Sequence, residues 1–430
     1  MRFALVHPNW RFDGSVYFGC REPHLPLELA YAKACLEQKG HEAILVDGHM
    51  ERLGPVETND RIRDFKPDFT VLETAPTYLF WRCTQPELSI PLQLARVIRK
   101  YAGTLVIVGP HASATPAAAV HKLQADAALL GEFEDSLSLL CDRPGALPYF
   151  FDAANPGLFV PGSAVPHEAD IRLLPPLNWP GKTIAAHKHH HHRFDTPVPE
   201  GPAAEIEASR GCPFKCLFCA KENFRNSYRK RPLEKVLAEI NNLASKGAAY
   251  LYFIDEIFLP DKALLDALSQ TGLKFGIQTR IDLWSEGQLE ALGKAGCVSI
   301  EAGVESITET GRMSLGKRCR ASGEQIFALL TAAKRHVPFV QANLVKSKDD
   351  HPEAVDSWRR ELLRHGVWAN DPVPVFPYPG SPAYKKLWGA PDDWAWERAH
   401  GHYLCISQRE GLSEIQEKYP VGLEKLEAGR

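Results

Sequence analysis

Three of the ten cysteines in this chain are concentrated in one short segment, SRGCPFKCLFCAKENF, at residues 209–224. They are Cys212, Cys216 and Cys219, with the spacing C-x3-C-x2-C, while the other seven cysteines lie singly along the chain. Clustered thiolates bind zinc or iron–sulfur centres. A structural zinc site needs a fourth ligand, and a 4Fe–4S cluster normally takes four cysteines. Three thiols therefore predict a metal centre with one open position.

The alternative to an iron–sulfur cluster is a zinc knuckle whose fourth ligand comes from a histidine-rich run. That run, HKHHHH at residues 187–192, offers His187 or one of His189–His192. The cysteines directly follow the first strand signal of a β/α array, which is an unusual place for a zinc knuckle. The run itself favours a solvated linker, and contact with an anionic substrate is the second hypothesis.

The composition is that of an ordinary globular protein, with 430 residues, 44% hydrophobic and 24% charged, and a formal net charge of −3. This length is enough for two or three domains with real cores. The near-neutral charge gives no case for nucleic-acid or membrane-surface binding. No stretch approaches the roughly 20 apolar residues that span a bilayer. The start, MRFALVHPNW, resembles a first strand more than a signal peptide, so we expect a cytoplasmic protein with reduced thiols.

Apolar runs alternate with helical patterns over residues 1–140. The predicted strands are 2–8, 41–48, 68–75, 104–111 and 125–135, and the predicted helices are 27–40 and 92–103. This alternation is typical of a parallel, doubly wound, Rossmann-like α/β domain. Such sheets bind ligands beyond the carboxyl ends of their strands. The loops at those ends are 8–14, 74–83, 109–115 and 131–134.

Residues 141–200 have the composition of a linker, rich in proline and glycine. A second alternation covers residues 201–384. Its predicted strands are 203–209, 249–256, 274–280, 297–306, 339–345 and 369–377. These make about six β/α units, fewer than the eight of a complete barrel. The remaining residues, 385–430, predict a short helical cap. Two interpretations of its aromatic and histidine side chains stay open, a cover over the substrate pocket and simple packing; these residues are Trp394, Trp396, Tyr403, His400 and His402.

The cysteine segment resembles that of the radical SAM superfamily, in which S-adenosylmethionine (SAM) chelates the open iron of a 4Fe–4S cluster. The resemblance rests on the cysteine spacing, on RGCP before it, on the aromatic Phe218 before the last cysteine and on the partial barrel that follows. It implies that Cys212, Cys216 and Cys219 are the cluster ligands. It also implies that Phe218 lies at the cofactor site.

Later segments resemble the SAM-binding strand ends of the same superfamily. FIDEIF implies Asp255, and less surely Glu256, as partner of the SAM amino group, and QTRID implies Arg280 for its carboxylate or ribose. EAGVES implies Glu305 or Ser306 for the ribose, with Glu301 as the alternative. PYPGSP at 377–382 resembles a turn near the last barrel strand. The segment NLVKSKDDHPE at 343–353 departs from the glycine-rich turn of the superfamily, which puts backbone approach to SAM there in doubt.

A doubly wound domain before such a barrel resembles the cobalamin-binding class of radical SAM enzymes. The resemblance covers the chain to about residue 385, with VGPHAS, GEFED and LLPPLNWP among its segments. It implies a cobalamin-binding domain at 1–140, in which Gly109 and Gly131 permit close backbone approach. The other residues implied at this site are Thr74, Trp81, Pro110, His111, Ser113, Thr115 and Glu132.

No D-x-H-x-x-G pattern follows the first strand, so we predict that no protein histidine ligates the cobalt. Trp81 and Arg82 are the candidates for a side chain that approaches its lower face. A scaffold domain without its cofactor is the competing hypothesis.

The resemblance implies a class B radical SAM methyltransferase with a 4Fe–4S cluster, SAM and cobalamin as cofactors. The reduced cluster would cleave SAM to a 5′-deoxyadenosyl radical, and methylcobalamin would then methylate an unactivated carbon. One alternative is rearrangement or cyclisation without methyl transfer, and another is a non-enzymatic, zinc-stabilised binding or regulatory protein. A SAM-dependent thiotransferase is a weaker third alternative. The expected partners are a small-molecule substrate and an external electron donor such as flavodoxin or ferredoxin, with no nucleic acid or membrane.

A basic run, RNSYRKR at 225–231, predicts a solvated face, with a phosphate-bearing substrate as the sharper alternative.

Overall fold

The computed structural model describes residues 1–10, 23–76, 88–141, 150–152, 166–187, 199–221 and 224–410. The chain divides into two compact units. The first unit comprises Met1–Leu177, Cys219–Ser227 and Pro377–Arg409. The second comprises Asn178–Phe218 and Tyr228–Phe376, together with Glu410.

The first unit is built on a six-stranded sheet with the order β2-β1-β3-β4-β5-β6. Its strands are β1 (Arg2–His7), β2 (Glu42–Asp47), β3 (Phe69–Glu73), β4 (Thr104–Val108), β5 (Ala127–Leu129) and β6 (Phe150–Asp152). All neighbouring strands are parallel except β6, which is antiparallel to β5. The strand interiors are almost wholly apolar and buried, as a sheet covered on both faces requires. The predicted doubly wound sheet is confirmed.

The helices of the first unit are α1 (Leu27–Gln38), α2 (Pro55–Phe65), α3 (Ser89–Ile98), α4 (Pro110–Ala114), α5 (Pro116–Leu123), α13 (Pro382–Trp388) and α14 (Ala395–Arg409). Four of them, α2, α4, α5 and α13, start with proline, which is suited to a first turn because its missing N–H has no helical partner there.

The second unit contains six parallel strands in the order β14-β13-β12-β11-β10-β7. They are β7 (Ala203–Ile206), β10 (Tyr250–Phe253), β11 (Lys274–Thr279), β12 (Cys297–Glu305), β13 (Phe339–Leu344) and β14 (Trp368–Ala369). A two-stranded antiparallel ribbon, β8 (Ser209–Arg210) with β9 (Arg229–Lys230), follows the first of these strands along the chain. Six parallel strands in sequential order confirm the predicted partial barrel.

The helices of the second unit are α6 (Gly181–Ala186), α7 (Leu233–Ser245), α8 (Lys262–Leu268), α9 (Glu286–Lys294), α10 (Glu309–Ser314), α11 (Gly323–His336) and α12 (Pro352–Arg364). Side chains fix several of their starts. Ser285 and Ser322 each form a capping box with a glutamine three residues later, and Asp261 caps α8. No helix in the described part of the chain is long and apolar enough to cross a membrane.

The two units differ from the predicted domain boundaries in two places. Residues 219–227, which follow the third cysteine, group with the first unit, and so does the stretch 377–409. The predicted domains are consecutive segments of the chain, 1–140, 141–200, 201–384 and 385–430, and their boundaries stay a prediction.

Candidate active site

The cysteine loop connects β8 to β9, and its three thiols are partly exposed. Cys212 and Cys216 lie in the second unit, where the half-buried Phe218 is the last residue before the chain enters the first unit at Cys219. Within the described ranges, no three His, Cys, Asp or Glu side chains are grouped as ligands of a single metal ion.

Two carboxylates after β10 hold the start of the cysteine loop. Asp255 accepts hydrogen bonds from Ala208 N–H at 2.9 Å and from the Ser209 hydroxyl, and Glu256 Oε2 accepts from Gly211 N–H at 2.7 Å. Burial raises the pKa of Asp255 to about 7, although both hydrogen bonds oppose the shift. The residue predicted to meet the SAM amino group thus also anchors the loop that carries the thiols.

The middle of the loop is held by the segment that follows α10. Leu217 N–H donates to Leu315 O at 2.9 Å. Gly316 has a φ of 71°, and a Cβ there would lie 3.1 Å from Lys215 O and 3.2 Å from Leu217 N. Glycine therefore meets both a conformational and a spatial requirement at this contact.

Arg280 lies directly after β11, as predicted, and its guanidinium is packed on the cysteine loop. Its central carbon is 3.9 Å from the ring centroid of Phe214, a cation–π geometry. Its other contacts are a two-point pair with Asp282, at 3.1 and 2.8 Å, and a bond from Nη1 to Lys317 O at 2.7 Å. These contacts fix the guanidinium beside the residues that flank the thiols.

The thiol of Cys216 lies in an environment of mixed charge. Burial raises its pKa to about 11, and the charge that opposes this most is the Lys317 ammonium, followed among the cations by Arg280. Lys317 Nζ donates to Glu305 Oε1 at 3.0 Å. Its side chain is 3% exposed and that of Glu305 is 13% exposed. Sequence reasoning missed Lys317, which no local motif marks.

Glu305 and Ser306, the two predicted ribose contacts, lie at the carboxyl end of β12. Glu305 has a φ of 68°, a left-handed conformation that is uncommon outside glycine and recurs at functional sites. The Ser306 hydroxyl donates to Asp350 Oδ1 at 2.7 Å, and the same oxygen accepts from Thr308 Oγ1 at 2.8 Å. Asp350 belongs to the segment that departs from the superfamily turn, and here that segment anchors the loop after β12.

Glu301, the alternative to Glu305, is buried in the interior of β12. It is in register with Gln278 on β11 and with Gln341 on β13. The row of polar side chains places Glu301 within the sheet, four residues before Glu305.

In the first unit, the polar residues predicted after β3 and β4 are bonded to neighbouring backbone. Thr74 Oγ1 donates to Val108 O at 2.9 Å, and Ser113 Oγ donates to Gly109 O at 2.8 Å. Gly109 and Gly131 have φ values of 99° and 84°. A Cβ on Gly109 would lie 3.1 Å from Thr74 Oγ1, and one on Gly131 only 2.3 Å from the backbone oxygen of His167. The close approach at these glycines is made by the protein's own chain.

The predicted contacts at the start of α4 and α5 are covered by α14. The Trp396 ring lies 4.1 Å from the His111 ring, between centroids, and Trp396 Nε1 donates to Thr115 Oγ1 at 2.8 Å. Pro110 is buried at the start of α4, and Glu132 accepts from Ala169 N–H at 3.2 Å. The predicted substrate-capping aromatic Trp396 is thus part of the first unit's packing.

Three titratable side chains that sequence reasoning missed end neighbouring strands of the first sheet. His7, Asp47 and Glu73 close β1, β2 and β3. His7 Nδ1 is 2.7 Å from Glu73 Oε2, and both are buried. Within the described residues, His7 Nε2 is buried without a hydrogen-bond partner. The signal was present, because each of the three is the polar residue that ends an apolar strand.

Burial lowers the pKa of His7, but Glu73, Asp47 and Glu28 together outweigh it and the pKa is raised. The pKa of Asp47 and that of Glu73 are raised, in both cases mainly by burial.

The histidine run and the basic run contain buried residues as well as exposed and undescribed ones. His187 is buried and lies 3.1 Å from Glu205 Oε2 on β7, so it is not part of a solvated linker. In the basic run, Arg225 pairs with Glu28 at 3.1 Å within the first unit, and both are buried. Arg231 pairs with Glu239 at 2.6 Å, also buried, while the exposed Lys230 pairs with Asp261 at 2.8 Å. The prediction of a solvated face is wrong for Arg225 and Arg231, because acidic partners in the core neutralise them.

Trp81, Arg82 and His189–His192 lie outside the described residues. Their predicted roles stay predictions.

Residues 206–357 match the sequence profile of the Radical SAM superfamily. The predicted radical SAM domain is therefore confirmed over this range. The chain is also 24% identical, over 402 residues, to an uncharacterized methyltransferase of Pyrococcus horikoshii, a match that covers 90% of this chain and 82% of the relative.

Two solved structures are similar in fold to most of the chain. TsrM from Kitasatospora setae, a radical SAM methyltransferase with cobalamin and a [4Fe-4S] cluster bound, matches with a TM-score of 0.66 at 16% identity, over 89% of this chain and 76% of TsrM. OxsB, a cobalamin-dependent SAM radical enzyme with aqua-cobalamin bound, matches with a TM-score of 0.68 at 15% identity, over 96% of this chain. The chain spans 56% of the length of OxsB. These matches confirm the predicted fold class.

Proposed function

We propose that this radical SAM protein is a cobalamin-dependent methyltransferase that methylates an unactivated carbon of a small biosynthetic molecule. The observation that carries the proposal is the attachment of the cysteine loop to the carboxyl ends of the barrel strands. Asp255 and Glu256 hold its start, and Leu315 holds its middle. Cys212 and Cys216 are therefore presented at the edge of a parallel sheet where ligands bind.

The residues around the thiols fit a 4Fe–4S cluster ligated by Cys212, Cys216 and Cys219. Thiolates bring negative charge to such a cluster. The Lys317 and Arg280 cations both act on Cys216 in the direction that favours the thiolate. Arg280 is held against Phe214, so this positive charge is fixed in place.

The fit to cobalamin rests on the first unit. At the carboxyl edge of its sheet, His7 Nε2 is buried with no hydrogen-bond partner in the described ranges, and buried polar atoms normally have one. A bound ligand would supply that partner. The likeness of fold to TsrM and OxsB supports cobalamin as that ligand.

When bound, the reduced cluster and SAM supply a 5′-deoxyadenosyl radical, and methylcobalamin supplies the methyl group. The chain's own residues bind and orient. Arg280 offers guanidinium donors to the SAM carboxylate or ribose, and Glu305 offers carboxylate oxygens to the ribose hydroxyls. Asp255 accepts from the SAM amino group while it anchors the loop. Ser306 is tied to Asp350, which sets the position of the neighbouring Glu305.

A second candidate function keeps both cofactors but rearranges or cyclises the substrate without methyl transfer. It is favoured by the similarity of the chain to an anaerobic magnesium-protoporphyrin IX monomethyl ester cyclase of Rubrivivax gelatinosus, 25% identical over 334 residues, which cover 72% of this chain and 56% of the cyclase. In either case we expect a small-molecule substrate and an electron donor such as flavodoxin or ferredoxin.

The test is anaerobic reconstitution with iron, sulfide and hydroxocobalamin, followed by assay of iron and cobalt per chain. We expect about four irons and one cobalt. The reconstituted protein is then incubated with dithionite and SAM. Cys216→Ala should lose 5′-deoxyadenosine formation, while Cys405→Ala, an exposed cysteine outside the motif, should keep it. Persistence of that product in Cys216→Ala would overturn the assignment.

Once a substrate is in hand, methyl-deuterated SAM separates the two candidates. Methyl transfer adds one labelled methyl group to the product, and rearrangement adds none. If the reconstituted protein contains iron but no cobalt, the assignment as a radical SAM protein stands and the proposal of methyl transfer from cobalamin is wrong.

A further inference from the structure

Lys317 is a buried cation whose placement the proposed reaction does not yet use. Its side chain is 3% exposed, and Nζ donates to Glu305 Oε1 at 3.0 Å. An ammonium group has three donors, and within the described residues this is the one hydrogen bond that Nζ makes. Burying a charge with so few partners is costly. If Lys317 served only as a counter-ion for Glu305, a more exposed position would lower the free-energy cost of removing its charge from water.

Backbone contacts bring Lys317 to the cysteine loop. The segment Leu315–Lys317 meets Lys215–Leu217 through the bond from Leu217 N–H to Leu315 O and through the close approach of Gly316 to Lys215 O. Arg280 adds a bond to the carbonyl of Lys317 at 2.7 Å while it rests on Phe214. These contacts hold the backbone of Lys317 beside the cysteine loop, and Glu305 holds its ammonium group.

The absence of a side chain at Gly303 leaves room for the pair formed by Lys317 and Glu305. A Cβ on Gly303 would lie 2.6 Å from Glu305 Oε1 and 3.4 Å from Lys317 Nζ. Glu305 reaches the pair from a left-handed backbone conformation, with φ at 68°. Glycine at 303 and the unusual backbone at 305 both serve the same ion pair. Such accommodation indicates a built feature.

We propose that Lys317 sets the reduction potential of the cluster that the cysteine loop holds, with Glu305 as the opposing charge. Reduction adds one negative charge to the cluster, and a fixed cation nearby stabilises that charge in a water-poor site. The inference rests on the proposed function only in requiring that the thiols bind a cluster.

The experiment is a redox titration of the reconstituted cluster in the full chain, followed by EPR, without SAM or cobalamin. Removing the cation in Lys317→Met should make the midpoint potential more negative. Removing the anion in Glu305→Gln should make it more positive. We expect the ratio of reduced to oxidised cluster, at the wild-type midpoint, to change about tenfold in each direction, which is 59 mV for one electron.

Two further variants separate charge from structure. Lys317→Arg keeps the charge and should keep the wild-type potential. Lys294→Met removes an exposed lysine that pairs with Glu290 on α9, and it should leave the potential unchanged. Loss of thermal stability alone cannot produce shifts of opposite sign in Lys317→Met and Glu305→Gln.

Potentials that do not move in either variant, or that move in the same direction in both, would overturn the inference. If Lys317→Met does not retain a cluster, Glu305→Gln and Lys317→Arg decide it, because a positive shift in the first with none in the second is required. Failure of the wild-type chain to bind iron would instead sink the proposed function. The two failures are therefore distinguishable in one set of measurements.

Discussion

His7 Nδ1 and Glu73 Oε2 lie 2.7 Å apart at the carboxyl ends of two adjacent parallel strands, and neither side chain reaches solvent. The pair shares its surroundings with Asp47, which ends the strand on the other side of β1. A buried histidine bonded to one carboxylate and near a second holds its proton more tightly than usual, and its pKa is raised.

Glu73→Gln should destabilise the protein by about 3 kcal/mol, because it removes one partner of a buried pair. The variant should also change the pH dependence. A raised pKa in the folded protein means that stability from His7 is present below its ordinary value of 6.5 and is lost as the pH rises through the folded pKa. We expect the wild type to lose stability between pH 6 and pH 9 and the variant to lose less. Urea unfolding at both pH values checks this, and an equal loss in both proteins would contradict it.

Arg225→Met should destabilise the protein by about 3–5 kcal/mol, because it leaves Glu28 as an uncompensated buried charge. The double variant Arg225→Met with Glu28→Leu should recover most of the loss. Lys33→Met is the matched control, since Lys33 pairs with Glu37 on the same helix but at a more exposed position. Its effect should stay within about 0.5 kcal/mol. Denaturant midpoints measure all four proteins, and a double variant no more stable than Arg225→Met would count against the pair.

Asp255→Asn should remove a specific pH dependence of stability. The folded pKa of Asp255 is about 7 against an ordinary 3.8, so the folded protein holds a proton that the unfolded chain releases. Stability from this group is therefore greatest below pH 4 and falls as the pH rises towards 7, by about 4 kcal/mol in total. The difference in unfolding free energy between wild type and variant should change across pH 4–7 and level off above it. A constant difference across that range would show that Asp255 is ionised throughout.

Trp396→Phe should cost about 1 kcal/mol, because it removes the donor to Thr115 but keeps an aromatic ring against His111. Thr115→Val should have a similar effect, and the two substitutions together should cost less than their sum. Trp394→Phe is the control, since Trp394 is 67% exposed. Thermal unfolding of the four variants measures the coupling, and strict additivity would show that the hydrogen bond contributes nothing.

Most of the strands were predictable because each is a short apolar run that ends in a polar residue or glycine, but β6 lies in the stretch 141–200 that was predicted as a linker. The predicted run 104–111 ends earlier, at Val108, since Gly109 and Pro110 start α4. The predicted last strand, 369–377, is reduced to Trp368–Ala369, because Pro372 and Pro374 lack the N–H that a ladder needs. Helix α2 was missed because its sequence, PVETNDRIRDF, is mostly polar and shows little apolar periodicity.

The site was predictable where a motif and a strand end coincide, as at Arg280, which the structure places directly after β11. Its partners were not predictable, because they come from separate loops. Lys317 and Asp350 reach the end of β12 through contacts that no local pattern encodes. The contact of Trp396 with His111 joins residues nearly three hundred positions apart, and either residue alone reads as an ordinary aromatic.

The first unit is assembled from three separate stretches of chain, which affects how it is made on the ribosome. Its six strands have been synthesised once residue 152 is added, but Arg225 follows only after β7 and β8 of the second unit, and Trp396 only after all of the barrel strands. Until then the nascent chain lacks Arg225, which pairs with Glu28, and Trp396, whose ring contacts His111. The N-terminal sheet therefore cannot complete its packing during translation until these residues are made. A gene fragment that stops at Leu177 encodes an incomplete unit.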